Sequence, residues 1–276
     1  PGYVSGACTH PDYRNRGAMR ELLSQAFARM QQNGVAVSTL IPAEPWLFDY
    51  YAGTGYAPVF KYASTTFTAS DKTNSNETVV LEKANDYQED IYSYLNRKMR
   101  ERPYCIQHTE TDFRVILSDL QLSKGHVYTL NQSGRILALA IAYPAGSVWH
   151  VGEIVAETPD IRTLLLQRIC EQLNLPSIRV IVPSETEPTP QVLGMARIIN
   201  AKTILQRYAA EHPELKMSIA LTDPQISANN GYYYLNNGKC ISSAKRLPGS
   251  HLALTVGELT EKILSPSNPY MSLMLN

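Results

Sequence analysis

Two arginines and a glycine stand where an amphipathic helix is predicted to begin. The stretch ACTHPDYRNRGAMRELLSQAF, residues 7–27, carries Arg14, Arg16 and Gly17 directly before the helical pattern. A helix dipole favours acidic residues at this end, so cations here indicate that an anion is expected. Free N–H groups at a helix start converge on one point, arginine binds phosphate, and glycine lets the backbone come close. Taken alone, the short spacing favours solvated arginines beside an ordinary turn.

A tyrosine-glycine motif follows in the next predicted helix. The stretch DYYAGTGYAPV, residues 49–59, places Tyr51 one helical turn before Gly55, which is predicted to end that helix. The chain contains 17 tyrosines, so a half-buried packing tyrosine is the alternative for Tyr51.

The elements around these motifs form a strand, turn, helix, strand unit. The helix has an apolar face with helical spacing, and residues 33–34, Asn-Gly, supply its C-cap. VAVSTLIP, residues 35–42, has the composition of a buried strand. Such a unit positions the arginine-glycine turn at the helix start. The apolar face is formed by Met19, Leu22, Leu23, Ala26, Phe27 and Met30.

The chain resembles the GCN5-related N-acetyltransferases in four features taken together. These are the motif T-H-P-x-Y-R-x-R-G, the amphipathic helix, the strand that ends in proline and the motif Y-Y-x-x-x-G-Y-x-P. The closest likeness is to the enhanced-intracellular-survival family, in which two acetyltransferase-like lobes precede a sterol-carrier-like domain. It is specific over residues 4–59 and diffuse to the C-terminus. The resemblance implies an α/β and α+β fold: a partial acetyltransferase lobe at 1–66, a second, degenerate lobe at 67–183 and a sterol-carrier-like domain at 184–276.

The resemblance also implies acetyl-CoA as co-substrate, no metal, and roles for individual residues. Tyr51 corresponds to the tyrosine that protonates the leaving CoA thiolate, with Tyr50 ranked second. A general acid typically contributes roughly 10²–10⁴-fold, and a tyrosine with a pKa near ~10 is protonated at neutral pH. Many family members have a small residue in place of Met19. The strand whose backbone pairs with pantetheine corresponds to Ala7, Cys8 and Thr9, and the pyrophosphate loop to Arg14, Asn15, Arg16, Gly17, Ala18, Met19 and Arg20.

The chain end receives a role by the same resemblance. The α-carboxylate of Asn276 corresponds to the base that takes the proton of the attacking amine. The acceptor is expected to be a primary amine of a small molecule or peptide. The tail LMLN has no acidic side chain, which puts a polycationic substrate in doubt. A homo-oligomer is also implied.

The second predicted lobe contains a shortened copy of the first motif. PDYR in the first lobe and PDIR, residues 159–162, both lie between a strand and an apolar helix. The second copy lacks the arginine-glycine loop, so this lobe is predicted to have no CoA site, although the short motif could match by coincidence. Polar segments at 70–78 and 183–191 are predicted linkers.

The third region has strand candidates at residues 216–223, 231–240 and 251–256, and Thr255 with Glu258 predicts a capping box. Residues 192–210 are predicted to lead into a helix. An apolar tunnel could be lined by Tyr232, Tyr233, Tyr234, Met271 and Met274, although ordinary core packing is the more common role of such residues. An apolar-ligand binding protein and a non-catalytic scaffold are therefore the alternatives to an enzyme.

Composition excludes several classes of protein. Lys+Arg and Asp+Glu both number 25, and this neutral balance argues against a nucleic-acid partner bound by bulk electrostatics. No signal peptide or membrane-spanning run is visible, so a cytoplasmic protein is expected. Four scattered cysteines and six histidines favour free thiols and no metal. The sequence starts at Pro1 inside a strand pattern, so an upstream part of the first lobe is expected to be missing.

Overall fold

The computed structural model of the chain describes residues 1–69, 78–184 and 190–273. Most of the two predicted linkers, together with Met274 and Asn276, lies outside the described residues. The chain divides into two compact units. The first comprises Pro1–Phe60 and Val192–Asn268, and the second comprises Lys61–Gln191 and residues 269–273. The three domains assigned at 1–66, 67–183 and 184–276 stay a prediction. They were assigned by family resemblance, and a division of the chain by its internal contacts does not test that assignment.

The helices and strands alternate along both units. In chain order they are β1 (Gly2–Tyr3), α1 (Ala18–Gln32), β2 (Val37–Leu40), α2 (Trp46–Ala52), β3 (Ala57–Thr68), β4 (Val80–Ala84), α3 (Glu89–Glu101), α4 (Glu110–Leu122), β5 (His126–Gln132), β6 (Arg135–Ala145), β7 (Val148–Ala156), α5 (Pro159–Leu173), β8 (Ser177–Pro183), β9 (Gln191–Ile198), α6 (Ala201–Glu211), β10 (Met217–Thr222), β11 (Gly231–Asn236), β12 (Lys239–Ser243), β13 (Leu252–Thr255) and α7 (Val256–Leu264). The predicted mixed α/β class is confirmed.

In the first unit, α1 packs its apolar face on a small sheet. β1 runs parallel to β2, and β2 pairs antiparallel with β9. Leu23 and Phe27 of α1 are buried against Leu40, Tyr51 and Met195. The helical periodicity of α1 therefore predicted most of the buried face, but Leu22, which was assigned to that face, is 55% exposed. β9 is a strand that the sequence interpretation missed, since residues 192–199 were assigned only as a lead-in to a helix.

A second sheet completes the first unit, with strand order β12-β11-β10-β13. The β11–β12 turn has left-handed backbone at Asn237 and Gly238, as an Asn-Gly hairpin turn requires. The Thr255–Glu258 capping box is present at α7, as predicted. Tyr233 is buried in the core between this sheet and helices α6 and α7. The rings of Tyr232 and Tyr234 instead lie edge-on to the ring of His251.

The second unit is a six-stranded sheet in the order β3-β8-β7-β6-β5-β4. Its neighbouring strands are antiparallel except β7 and β8, which are parallel and connected through α5. Alternate residues of β6 enter two separate cores, with Ala140 in one and Leu139 in the other. Helix α5 contributes to the first core and helices α3 and α4 to the second, so helices cover both faces. Thr109 and Asp112, which the sequence offers as cap residues before an apolar helical pattern, form a capping box at the start of α4.

Two local expectations are wrong. Ala7, Cys8 and Thr9 belong to no strand, because β1 ends at Tyr3 and irregular backbone follows. Helix α2 ends at Ala52 with Gly53 as its C-cap, so Gly55 does not end the helix. Gly55 has φ +90°, and a Cβ there would lie 2.6 Å from Val256. Glycine is thus required at position 55 by backbone conformation and close packing.

Candidate active site

A cleft of about 620 Å³ in the first unit is formed by the loop before α1, the start of α1 and one side of α2. Nearly all of the residues to which the sequence assigned a role with the coenzyme line this cleft. Those residues are Ala7, Cys8, Thr9, Arg14, Asn15, Gly17, Ala18, Met19, Arg20, Tyr50 and Tyr51. Arg16 is not among the residues that line it.

The start of α1 presents backbone donors to this cleft. Gly17 is the N-cap residue, with φ +80°, and no side chain caps the helix. The N–H groups of Ala18, Met19 and Arg20 precede the first helical hydrogen bond, from Glu21 N to Gly17 O at 3.0 Å. A Cβ on Gly17 would meet no atom within 4 Å. Glycine at this position is therefore explained by its left-handed backbone, and the space beside it is open.

The arginines of the loop differ in their surroundings. Arg14 lines the cleft, and its Nε donates to the carbonyl oxygen of Thr9 at 3.2 Å. Arg20 also lines the cleft. The guanidinium of Arg16 lies 5.5 Å from the centre of the Tyr13 ring. Arg14 and Arg20 thus face the space in which an anion at the start of α1 would be held.

Tyr51 is held on α2 by packing. Its side chain is 7% exposed and belongs to the core that includes Leu23 and Phe27. Its ring lies 5.4 Å from that of Tyr50 and 5.9 Å from that of Tyr56, both edge-on. Burial, and to a smaller extent the neighbouring Tyr50, raises the pKa of the Tyr51 hydroxyl above its ordinary value of 10.0. The hydroxyl is consequently protonated at neutral pH.

Buried polar contacts support the turn after Tyr51. The backbone carbonyl of Tyr51 accepts hydrogen bonds from the Thr54 hydroxyl and the Tyr56 N–H. The hydroxyl of Tyr56 is 2.7 Å from that of Ser38, and burial raises the pKa of Tyr56 to about 12. Nε of Arg197, which is fully buried, donates to the carbonyl of Thr54 at 2.9 Å. The backbone that carries Tyr51 is therefore fixed on several sides.

Three further side chains line the cleft that the sequence interpretation did not assign: Tyr13, Trp46 and Leu47. Trp46 begins α2, one turn before Tyr50, and is 66% exposed. Tyr13 is 60% exposed. The signal that could have identified Trp46 is its spacing of four from Tyr50, which places both on one helical face.

The remaining observations concern the chain end, metal ligands, membrane-spanning helices and the cysteines. Asn276 lies outside the described residues. Within residues 1–69, 78–184 and 190–273, no three histidine, cysteine or acidic side chains come together as a metal site would require. In the same ranges, no helix is long and apolar enough to cross a membrane. The four cysteines are free thiols.

The part of the chain that forms the cleft matches the sequence model of a known family. Residues 1–59 match the sequence model of the acetyltransferase (GNAT) domain. No curated protein matches the chain. The matched residues include the loop before α1 and all of α2, so every residue that lines the cleft lies within the matched region.

Solved structures show the same fold over almost the whole chain. A GCN5-related N-acetyltransferase from Kribbella flavida is 16% identical with a TM-score of 0.71, covering 99% of this chain and 79% of that one. Eis1 from Mycobacterium abscessus is 13% identical, with a TM-score of 0.67 and coverages of 95% and 71%. A protein from Enterococcus faecalis described as a probable N-acyltransferase is 17% identical, with a TM-score of 0.69 and coverages of 94% and 70%. At these identities the likeness establishes the fold alone.

Proposed function

We propose that the protein is an acetyl-CoA-dependent N-acetyltransferase that binds its co-substrate in the cleft of the first unit. The observation that supports this most is that one cleft is lined by Arg14, the open start of α1 and Tyr51. Cationic side chains and free N–H groups suit the pyrophosphate of acetyl-CoA. A protonated phenol on the same cleft suits the sulfur that must leave.

The reaction would proceed by attack of a neutral amine on the thioester carbonyl. A C–N bond forms, the C–S bond breaks, and the thiolate takes the proton of the Tyr51 hydroxyl. The raised pKa of Tyr51 keeps that proton available at neutral pH. The general acid lowers the barrier to thiolate departure, typically by roughly 10²–10⁴-fold.

The α-carboxylate of Asn276 is the proposed base for the amine proton. This assignment comes from the family resemblance alone. The acceptor is proposed to be a primary amine of a small molecule or peptide. The tail LMLN has no acidic side chain, so the acceptor is not expected to be a polycation.

The function is tested by two measurements on the whole chain. Calorimetry with acetyl-CoA should show binding at one site, and a panel of primary amines should include one that releases CoA. If acetyl-CoA does not bind, the enzyme proposal is wrong. Chloroform extraction followed by mass spectrometry then distinguishes an apolar-ligand binding protein, from which a lipid is recovered, from a scaffold, from which none is.

The proposed base is tested separately, by extending the C-terminus with a short Gly-Ser tag. The tag moves the α-carboxylate away from position 276 and should lower turnover without changing acetyl-CoA affinity. The control is a Gly-Ser tag on the N-terminus. If the C-terminally tagged protein acetylates its best amine at the untagged rate, a side chain or water must be the base.

A further inference from the structure

The second unit contains a cleft of its own, where two parallel strands part. β7 and β8 pair at His150–Val151 with Arg179–Val180, and the paired register extends no further in the described residues. Beyond this point their facing edges border a cleft of about 440 Å³. The residues that line it are Thr65, Lys98, Glu101, Arg102, Ile154, Val155, Ala156, Arg162, Ile181, Val182 and Pro183. Three cations and one carboxylate are among them, so the lining is net positive.

The carboxylate of the cleft is engaged by cations. Glu101 accepts hydrogen bonds from Lys98 and from Arg97. Arg102 forms an ion pair with the buried Glu153, which does not line the cleft, at a distance of 2.8 Å. Its guanidinium also donates to the carbonyl of Ile154 at 2.9 Å. Glu101 and Glu153 are therefore already paired with Lys98, Arg97 and Arg102.

Arg162 is the cation without a counter-ion. It lies in the first turn of α5 and is half-buried, and no acidic group among the described residues comes within ion-pair distance of its guanidinium. Burial and the neighbouring Arg102 lower the pKa of Arg162, because both disfavour the charged form of its guanidinium. An anion in the cleft would stabilise a half-buried arginine that has a second arginine as its neighbour.

The form of the cleft limits which anion fits. Between β7 and α5 stand only Glu157 and Thr158, so there is no loop to wrap a pyrophosphate. Pro159 has no N–H, and the Thr158 side chain accepts from the N–H of Ile161, which leaves few donors at the start of α5. Arg102 donates a hydrogen bond to the carbonyl of Ile154, at the edge of β7 that borders the cleft. That carbonyl is therefore already hydrogen-bonded. These features suit a small group held by side chains and not an extended nucleotide.

We propose that this cleft is an anion site that binds the phosphate group of a small molecule through Arg162 and Arg102. Arginine matches phosphate because its planar guanidinium donates two parallel hydrogen bonds to two oxygens. The site is distinct from the acetyl-CoA cleft and does not depend on the proposed function.

The test is a calorimetric titration of the whole chain with inorganic phosphate at low ionic strength, with acetate as a comparison probe. The titration is made in the Arg14→Gln background, which weakens anion binding in the first-unit cleft, and the difference between this background and the same background with Arg162→Gln reports on the second-unit cleft. Arg162→Gln should weaken phosphate binding roughly tenfold or more, the range expected for a charge-assisted hydrogen bond. Arg162→Lys should retain part of the affinity, and acetate should bind more weakly than phosphate.

The matched control is Arg168→Gln, on the same helix, where the arginine pairs with Glu171 and does not line the cleft. It should leave phosphate affinity unchanged. Crystals soaked in tungstate should show an anomalous peak beside Arg162. The proposal is overturned if phosphate produces no binding heat, if Arg162→Gln binds like the parent, if the control weakens binding equally, or if acetate binds as tightly as phosphate.

Discussion

Arg14 and Arg16 are separated by one residue in the loop before α1, yet their guanidinium groups have different surroundings. Arg14 lines the cleft and is oriented by the carbonyl of Thr9. Arg16 rests on the ring of Tyr13 and is exposed. The family resemblance assigned both to the pyrophosphate with equal weight. The structure separates them and makes them a matched pair for experiment.

Arg14→Ala should weaken acetyl-CoA binding by about 1.5–3 kcal/mol, because it removes a charge-assisted hydrogen bond to phosphate. Arg16→Ala should change it by less than about 0.5 kcal/mol, as a surface substitution does. Calorimetry on both variants checks the difference. Equal losses in the two variants would mean that the loop rearranges on binding.

Tyr51→Phe should lower kcat by roughly 10²–10⁴-fold, because the variant cannot protonate the leaving thiolate. The dissociation constant of acetyl-CoA should not change, since a proton donor acts mainly in the transition state. Tyr50→Phe is the control, because Tyr50 lines the same cleft one residue away. The assignment is wrong if Tyr50→Phe is the slower enzyme.

The pH dependence of kcat should report the raised pKa of Tyr51. A general acid works while it is protonated, that is, below its pKa. Because burial raises this pKa above 10.0, the alkaline fall in kcat should have its midpoint above pH 10. The measurement is kcat against pH, with Tyr51→Phe as the control that loses the alkaline limb. A limb centred below pH 9 that Tyr51→Phe removes would contradict a raised pKa.

At the scale of elements, the start of α1 depends on the left-handed backbone of Gly17. Its φ of +80° favours glycine, while the space around it is open. Gly134, in the turn between β5 and β6, has the same properties, with φ +76° and no atom near an added Cβ. The two glycines share a conformation but differ in whether a ligand site lies beside them.

Gly17→Ala should lower the free energy of unfolding by roughly 1–2 kcal/mol and should also weaken acetyl-CoA binding, because the Cβ enters the space of the pyrophosphate. Gly134→Ala should cost a similar amount of stability and leave acetyl-CoA affinity unchanged. Denaturant unfolding and calorimetry measure the two effects. If both variants bind acetyl-CoA as the parent does, Gly17 serves the turn alone.

Elements were predictable where their signals are local. The capping boxes at Thr109 and Thr255 and the apolar face of α1 depend on a few neighbouring residues, and the structure contains both capping boxes and most of that face. β9 was missed because residues 192–199 form an apolar run directly before a helix start, and periodicity does not distinguish such a run from a buried helix. Ala7, Cys8 and Thr9 were assigned to a strand by resemblance, where the chain has irregular backbone.

At the scale of the whole molecule, the first unit joins residues 1–60 with residues 192–268, which are far apart in sequence. Arg197 of β9 connects them. It is fully buried, its Nη2 lies 2.7 Å from Asp223, its Nε donates to Thr54, and its guanidinium lies 4.4 Å from the centre of the Phe27 ring. One side chain therefore ties α1 and the turn after Tyr51 to the second sheet of the unit.

Such a contact could not be predicted from the sequence. An arginine inside an apolar run is expected to be solvated, and nothing local indicates that Asp223, 26 positions later, is its partner. The second-unit cleft was not foreseen for the same reason, since Arg102 and Arg162 are far apart in sequence. That most of the residues assigned by the family resemblance line one cleft was predictable only because a family pattern already relates them.

Arg197→Met should lower the free energy of unfolding by about 3–5 kcal/mol, because it leaves the carboxylate of Asp223 buried without its cation. Asp223→Asn in the same chain removes that charge, so the double variant should lose less than the sum of the single losses. Arg207→Gln, an exposed arginine on α6, is the control and should stay within about 0.5 kcal/mol. Denaturant unfolding of the parent, the two single variants, the double variant and the control measures these differences. Strictly additive losses would mean that Arg197 acts through Thr54 and Phe27 and that its pairing with Asp223 contributes little to the stability of the unit.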